Sequence, residues 1–407
     1  MRNKLIKITA LSLIATSAIY AGGWKIPETS VNGASLSAAN VAHSNGADAA
    51  YYNPANMAFM ADENALEVDM MYVGIDPTNF KGSGDMSGID IDAESESFLI
   101  PSLNYVSPKL GDFRLGLSMA VPGGLSKKWE DQPAKSAAQE FTLSIIEINP
   151  TLAYSINSQV AVAFGLRILY SEGIVKSTGV ASRDMIGESF DFGYNLALSY
   201  KPMSALELGL TYRSNVDLTE EGNAKLYLGN TDGILLYNGG SSVTVPLPAL
   251  LNLAVAYTFE TKTTVEFVYE RNFWSAYESL DFNYVSSLDP LLEGFNTPIA
   301  KDWVDTNVFR LGVTQEFDEF RLMAGVVIDE TPVPDSSLSY EMPDSDSLSV
   351  SFGGRYDINE DWNLGLGMLY SMRDSRSLKA ENNDNKLDGE FSNSNVLIVS
   401  AGVGYKF

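Results

Sequence analysis

Leu206-Glu207-Leu208-Gly209-Leu210-Thr211-Tyr212-Arg213 alternates large apolar side chains with small, polar or charged ones. Successive side chains of a strand point to opposite faces. Leu206, Leu208, Leu210 and Tyr212 therefore meet an apolar medium, and Glu207, Gly209, Thr211 and Arg213 a polar one. The same parity sets Val160, Val162, Phe164, Leu166, Ile168 and Tyr170 against Ala161, Ala163, Gly165 and Arg167. It recurs where Trp362, Leu364, Leu366, Met368 and Tyr370 oppose Asn363, Gly365, Gly367 and Ser371. Carried along the chain, alternation marks fourteen strands, beginning near Ala65, Ser97, Asp112, Gln139, Gln159, Met185, Ser204, Pro246, Thr261, Trp303, Glu319, Asp344, Glu360 and Phe391. Short connections, such as 155–159, 201–205 and 359–361, take turns with long ones, notably 218–245 and 278–303. A soluble sandwich would need two packed apolar faces and would not sort its turns by length. The expected fold is all-β: a fourteen-stranded antiparallel transmembrane β-barrel, tight turns to the periplasm and long loops outside.

The remaining composition agrees. Arg2, Lys4 and Lys7 precede an apolar run from Ile8 to Ile19 that ends in small residues, so 1–21 reads as a signal peptide cut after Ala21 or Ala18. Beyond it no run approaches the roughly 20 apolar residues of a membrane-spanning helix. Hydrophobic residues make up 45% of the chain, yet mean hydropathy is near zero, as alternation rather than blocks requires. The absence of Cys excludes disulfides and thiolate metal sites. A net charge of -25 excludes nucleic acid as a partner. The acid-rich segments 85–96 and 381–390 read as solvated loops, or as bridges through divalent cations to the lipid surface.

Residues 22–62 lack alternation and are dense in small and turn-forming residues, but carry Trp24, Ile26, Val31, Leu36, Val41, Tyr51, Tyr52, Met57 and Phe59, which want burial. Fourteen strands enclose a lumen that must hold water or a plug. We therefore expect 22–62 to form a hatch inside a barrel of residues 63–407. In the last strand Leu397, Val399, Ala401, Val403, Tyr405 and Phe407 share a face. Tyr405 and Phe407 suit a terminal signal read by the barrel-assembly machinery, or an aromatic girdle.

The stretch from Gly22-Gly23-Trp24 to Asn53-Pro54-Ala55 resembles the hatch of the long-chain fatty acid transporter family of outer-membrane proteins. The resemblance continues through Asn149-Pro150, Tyr212-Arg213-Ser214, Leu247-Pro248 and Trp274-Ser275 to Asp329-Glu-Thr-Pro-Val-Pro-Asp335, Pro343-Asp344-Ser-Asp346 and Gly353-Gly-Arg-Tyr356. It implies passive uptake of a hydrophobic small molecule from lipopolysaccharide, through a groove between outer loops and a pocket at the hatch start, and out sideways through a gap in the wall. On that reading Gly22, Trp24 and Ile26 line the pocket; Leu226, Leu228, Leu235 and Leu236 line the groove, with Leu288, Leu291, Leu292 and Phe295 across from them or simply packed on them. Asn53, Pro54 and Ala55 join hatch to wall, and Pro122, Gly123 and Gly124 interrupt the third strand beside the gap, since Pro removes a donor and Gly permits a kink.

Arg167 and Arg310 fall on the lumen face, to meet a carboxylate or to pair with Glu207, Glu266 or Glu270. Glu172, where a base is expected beside a fatty acid, leaves room for a neutral aromatic hydrocarbon. His43, the single histidine, lies in the hatch, where a bond to a neighbouring carbonyl is expected rather than a catalytic triad with Asp48. We expect no enzyme activity, cofactor or metal, and a monomer in outer-membrane lipid. A receptor or adhesin that only displays its acidic loops is the alternative from another class.

Overall fold

The computed structural model describes Gly22 to Phe407; the expected signal peptide lies outside the described residues. Fourteen strands form the wall: β1 (Ala65–Ile75), β2 (Glu96–Val106), β3 (Phe113–Ala120, resuming at Gly124–Lys128), β4 (Glu140–Ser155), β5 (Val160–Ser177), β6 (Ala181–Met203) and β7 (Leu206–Arg213). They are followed by β8 (Leu250–Thr258), β9 (Thr263–Asn272), β10 (Thr306–Glu316), β11 (Phe320–Asp329), β12 (Ser347–Asp357), β13 (Trp362–Arg373) and β14 (Val396–Lys406). Each pairs antiparallel with its neighbours, and β1 closes the ring on β14 from Ala65↔Lys406 to Ile75↔Val396. Closure of β1 on β14 leaves no open sheet edge between the first and last strands, as backbone in hydrocarbon requires.

The outer face is apolar, as parity requires: Phe164 is 52% exposed and Leu366 66%, while Arg167 and Gly367, beside them in sequence, face the interior. Such an apolar surface belongs in a bilayer. At the periplasmic rim Tyr405 stacks on both Trp362 and Phe407.

Two expectations about the outer loops need correction. Residues 218–245 are not an irregular loop but a β-hairpin, Val216–Leu228 against Ile234–Leu247. Its first strand pairs with the upper part of β6, from Glu221↔Glu188 to Leu228↔Ala181. Val216, Leu218, Val243, Val245 and Leu247 turn one apolar face inward, which is why the hairpin stays folded above the membrane. The last wall strand starts at Val396 rather than near Phe391, because Gly389–Ser392 pairs with Asn79–Gly82 in a separate four-stranded sheet of the outer loops.

Residues 22–62 fill the lumen. A short helix, α1 (Val31–Ser35), is capped by the Ser30 side chain, and α2 (Ala49–Tyr52) leads through Asn53 into a 3₁₀ turn, Pro54–Phe59. Pro54 presets the first residue of that turn, and Asn53 Oδ1 accepts from Ala55 N at 3.1 Å. The Asn53 amide also donates to Val41 O at 2.8 Å and to Ser199 Oγ of β6 at 3.1 Å, which joins hatch to wall. Arg114 of β3 completes the junction by donating to the carbonyls of Ser107, Met57, Met60, Ala61 and Glu63. Wall glycines let the plug approach: a Cβ at Gly325 would stand 2.3 Å from the Leu36 carbonyl carbon.

Candidate ligand channel

Between hatch and wall lies a narrow cleft lined by residues of both. Ile26, Pro27, Val41, Tyr51, Tyr52 and Pro54 of the hatch face Pro122, Leu247 and Leu250 of the wall and hairpin. Lys25, Arg167, Arg213 and Glu270 add charge to its lining. Ile26 and Arg167, both expected at the ligand, are thus in the lining; Gly22, Trp24 and Arg310 are not.

The charges are arranged in two sets. Glu147 accepts from Arg167 Nε at 2.8 Å and also from Arg213 Nη2, while Arg167 Nη1 donates to Ser214 O at 2.6 Å. Arg167 therefore pairs with none of the three glutamates expected for it. Glu270 accepts from Lys25 at 2.6 Å and lies 3.5 Å from Arg310, which also bonds Ser37 O at 2.9 Å and approaches Glu28 at 3.6 Å. Arg310 is committed to holding the hatch. Burial pushes the Glu28 carboxyl up to about 7 against the opposing pull of Arg310.

Arg213 was not singled out from the sequence, although parity placed it on the lumen face. It is 7% exposed, its guanidinium carbon sits 4.6 Å from the centre of the Tyr51 ring, and its Nη1 has no hydrogen-bond partner. Two arginines sharing one glutamate leave one enclosed donor without an acceptor. Alternation cannot reveal that shortage, because it gives a residue's face but not its neighbours across the lumen.

His43 departs from expectation too. Its Nδ1 lies 2.9 Å from Glu207 Oε1, and Asn45 lies 2.9 Å from Nε2, so a wall carboxylate replaces the expected carbonyl. Glu266 accepts from the backbone N–H groups of Val41, Ala42 and His43. Glu172 lies on the exposed outer face, where Tyr170 donates to it at 2.7 Å, and has no bearing on the lumen.

Pro122-Gly123-Gly124 lies where the wall ladder is interrupted. The β2–β3 backbone ladder stops at Leu103↔Met119 and resumes where Glu94 N donates to Lys128 O at 2.9 Å, with the Ser126 hydroxyl donating to Glu96 between the two. Across the interval, the hatch supplies the missing partner from inside. Ile26 N donates to Pro122 O and Gly124 N to Trp24 O, both at 2.9 Å, with Lys25 bridged to Gly123. A Cβ at Gly123 would stand 2.8 Å from the Trp24 carbonyl oxygen, so glycine is what lets the two chains meet. Phe98, Ile100, Val121 and Leu125 of these strands belong to one buried apolar cluster.

Trp24 itself is fully buried beside the cleft, edge-on to Trp274 at 5.5 Å, and Trp274 donates to Gly22 O at 3.1 Å. Its role in the geometry is to seat the hatch. Truncation to Ala should weaken that docking by about 3–5 kcal/mol, the usual cost of emptying a Trp site. Hydrogen exchange at 25–35 should accelerate while wall amides stay protected; unchanged exchange would show that the ring holds nothing.

The outer groove forms only in part. Leu226 and Leu292 are buried, and Leu236, Leu288 and Phe295 pack half-buried against the same cluster. Leu228 is half-buried, whereas Leu235 and Leu291 are 47% and 65% exposed and point away.

A family model described as outer membrane protein transport protein (OMPP1/FadL/TodX) matches residues 11–407. The long-chain fatty acid transport protein of Escherichia coli K12 is 23% identical, over 89% of this chain and 90% of that protein. Outer membrane protein P1 of Haemophilus influenzae Rd is 21% identical over 67% of this chain and 65% of its own. Among solved structures, a Pseudomonas aeruginosa FadL homologue superposes with a TM-score of 0.82 at 19% identity, covering 94% of this chain and 99% of that one. The P. putida toluene transporter TodX gives 0.71 at 18%, with the same coverage. At these identities the two structures speak to the fold alone.

Proposed function

The chain belongs to the outer membrane protein transport protein family (OMPP1/FadL/TodX), whose members carry hydrophobic compounds across the outer membrane, and from that premise we propose that its substrates are long-chain fatty acids, released sideways into the bilayer. The observation that carries this reading is the cleft: apolar side chains from Ile26 to Leu250 line it together with Arg213, whose Nη1 has no acceptor, and with Pro122 of the interrupted strand. An apolar chain fits the first part, a carboxylate fits the second, and a window at that interruption offers a route that never exposes the chain to water. The name of the Escherichia coli relative agrees with this substrate. Assembly as a monomer, with Tyr405 and Phe407 read at the rim by the assembly machinery, belongs to the same reading.

Arg213→Met tests the substrate class. A hydrogen bond to a charged group contributes about 1.5–3 kcal/mol, so oleate should bind roughly ten- to a hundredfold more weakly and oleyl alcohol unchanged. Equal binding of oleate by mutant and wild type would favour a neutral hydrocarbon, the class named for TodX. Liposomes bearing wild-type protein that take up neither compound would leave only display of the outer loops.

A further inference from the structure

The hatch meets the wall across a buried surplus of carboxylates. Glu67 and Asp69 are neighbours on the lumen face of β1, each 3% exposed, with their side chains within hydrogen-bond reach of one another. Asp48, fully buried in the hatch, faces them. A Cβ at Gly46 would stand 2.7 Å from Asp48 Oδ1 and 3.4 Å from Glu67 Oε2, so the glycine leaves these two acids with no side chain between them. The guanidinium set among the three, Arg355 of β12, gives Nη2 to Glu67, but its Nε and Nη1 go to the amide oxygens of Asn32 and Asn363, at 2.7 and 2.9 Å. Asp48 Oδ2 accepts from Ser30, Asn32 and Asn40, and Asp69 Oδ2 from Ser102 at 3.4 Å. Among the described residues neither aspartate forms an ion pair, and Oδ1 of each is enclosed without a donor.

Ionised carboxylates only accept, so two of them close a hydrogen bond when one brings a proton. Sharing a site while both are charged is unfavourable, and an unpaired buried charge is costly in itself. The periplasm can supply the proton: Asn32, Gly46, Glu67 and Arg355 also line a polar cavity that continues past Arg321 and Lys406 to the turn at Phe317 and Asp318. We propose that Asp48, Glu67 and Asp69 form a proton-holding lock between hatch and wall, closed while the carboxyls share a proton and loosened when it is lost to the periplasm. Without the proton, Asp48 on the hatch is repelled by Glu67 and Asp69 on the wall, with Arg355 to offset them. Burial, with Glu67 adding to it, pushes the Asp48 carboxyl up to about 6. Docking is therefore firmest below that value and weakens as pH rises through it. Tyr52, also beside Asp48, is raised by burial and keeps its proton throughout. His43 is separate from the lock but, when charged, strengthens its own bond to Glu207, so it is controlled for.

The test is hydrogen exchange of residues 28–48 in full-length protein in lipid nanodiscs, at about pH 5 and about pH 8.5, with the intrinsic pH dependence of exchange divided out. In wild type, exchange should be about tenfold or more faster at the higher pH, one unit of pKa being a factor of ten. Asp69→Asn and Asp48→Asn each carry an N–H where the proton would sit, so both should stay slow at either pH. Heat-modifiable gel migration reports folding, and one folded variant suffices. His43→Gln should keep the wild-type response. An infrared band of protonated carboxyl should be present in wild type at neutral pH, a readout that needs no variant. Absence of that band, equal wild-type exchange at the two pH values, a full response in a folded Asn variant, or its loss in His43→Gln would each overturn the lock.

Discussion

Removing residues 22–48 should turn a closed barrel into an ion-conducting pore, with single-channel conductance in planar bilayers at least roughly tenfold above that of the intact protein, because fourteen strands enclose far more room than their side chains fill. The contacts broken are specific. Lys25 leaves Glu270, the N–H groups of 41–43 leave Glu266, Asn32 leaves Arg355, and His43 leaves Glu207. Glu266 would then face water without its N–H donors, and Glu207 and Glu270 would keep only Lys201 and Arg310, so the pore should prefer cations. A deletion variant that migrates as folded barrel and conducts no better than the parent would remove 22–48 from the role of plug.

Bridging the window should abolish release while sparing capture. Ile100 and Pro122 stand on either side of the interval between Leu103↔Met119 and the Glu94–Lys128 bond. The chain contains no Cys, so cysteines at those two positions can be joined selectively by a short bifunctional thiosulfonate and freed again with reductant. With the bridge in place, oleate uptake into liposomes should fall to the protein-free background, and reductant should restore it in the same sample. Binding should persist throughout, since Arg213 and all of the apolar lining but Pro122 are untouched. A bridged protein that transports normally would send the substrate down the barrel axis past the hatch instead.

How much of this could be read in advance depends on how local each determinant is. The strands were legible because a period of two is complete within eight residues, as in Leu206 to Arg213, and needs no knowledge of neighbours. The hairpin 216–247 was missed as ordered structure because it pairs with the part of β6 above the bilayer, where the clean contrast between lipid and lumen faces is lost. Trp24 was expected at the ligand, yet its place depends on Trp274, 250 residues away, and on Trp303 behind that. The arginines show the same limit: parity put Arg167, Arg213 and Arg310 on one face, but which of them shares a glutamate is decided across the lumen. Glu147, the residue that decides it, sits on a strand whose alternation gave no sign of its two partners.

Trp24 to Ile26 both complete the wall opposite Pro122 to Gly124 and, through Lys25 and Ile26, line the cleft. On the proposed lateral route, displacing that one short segment would open the side exit and dismantle the resting place at the same moment. Such a device has no standing hole, so its flux must saturate with substrate and carry the temperature dependence of a conformational step, whereas an open sieve would pass substrate in proportion to its concentration.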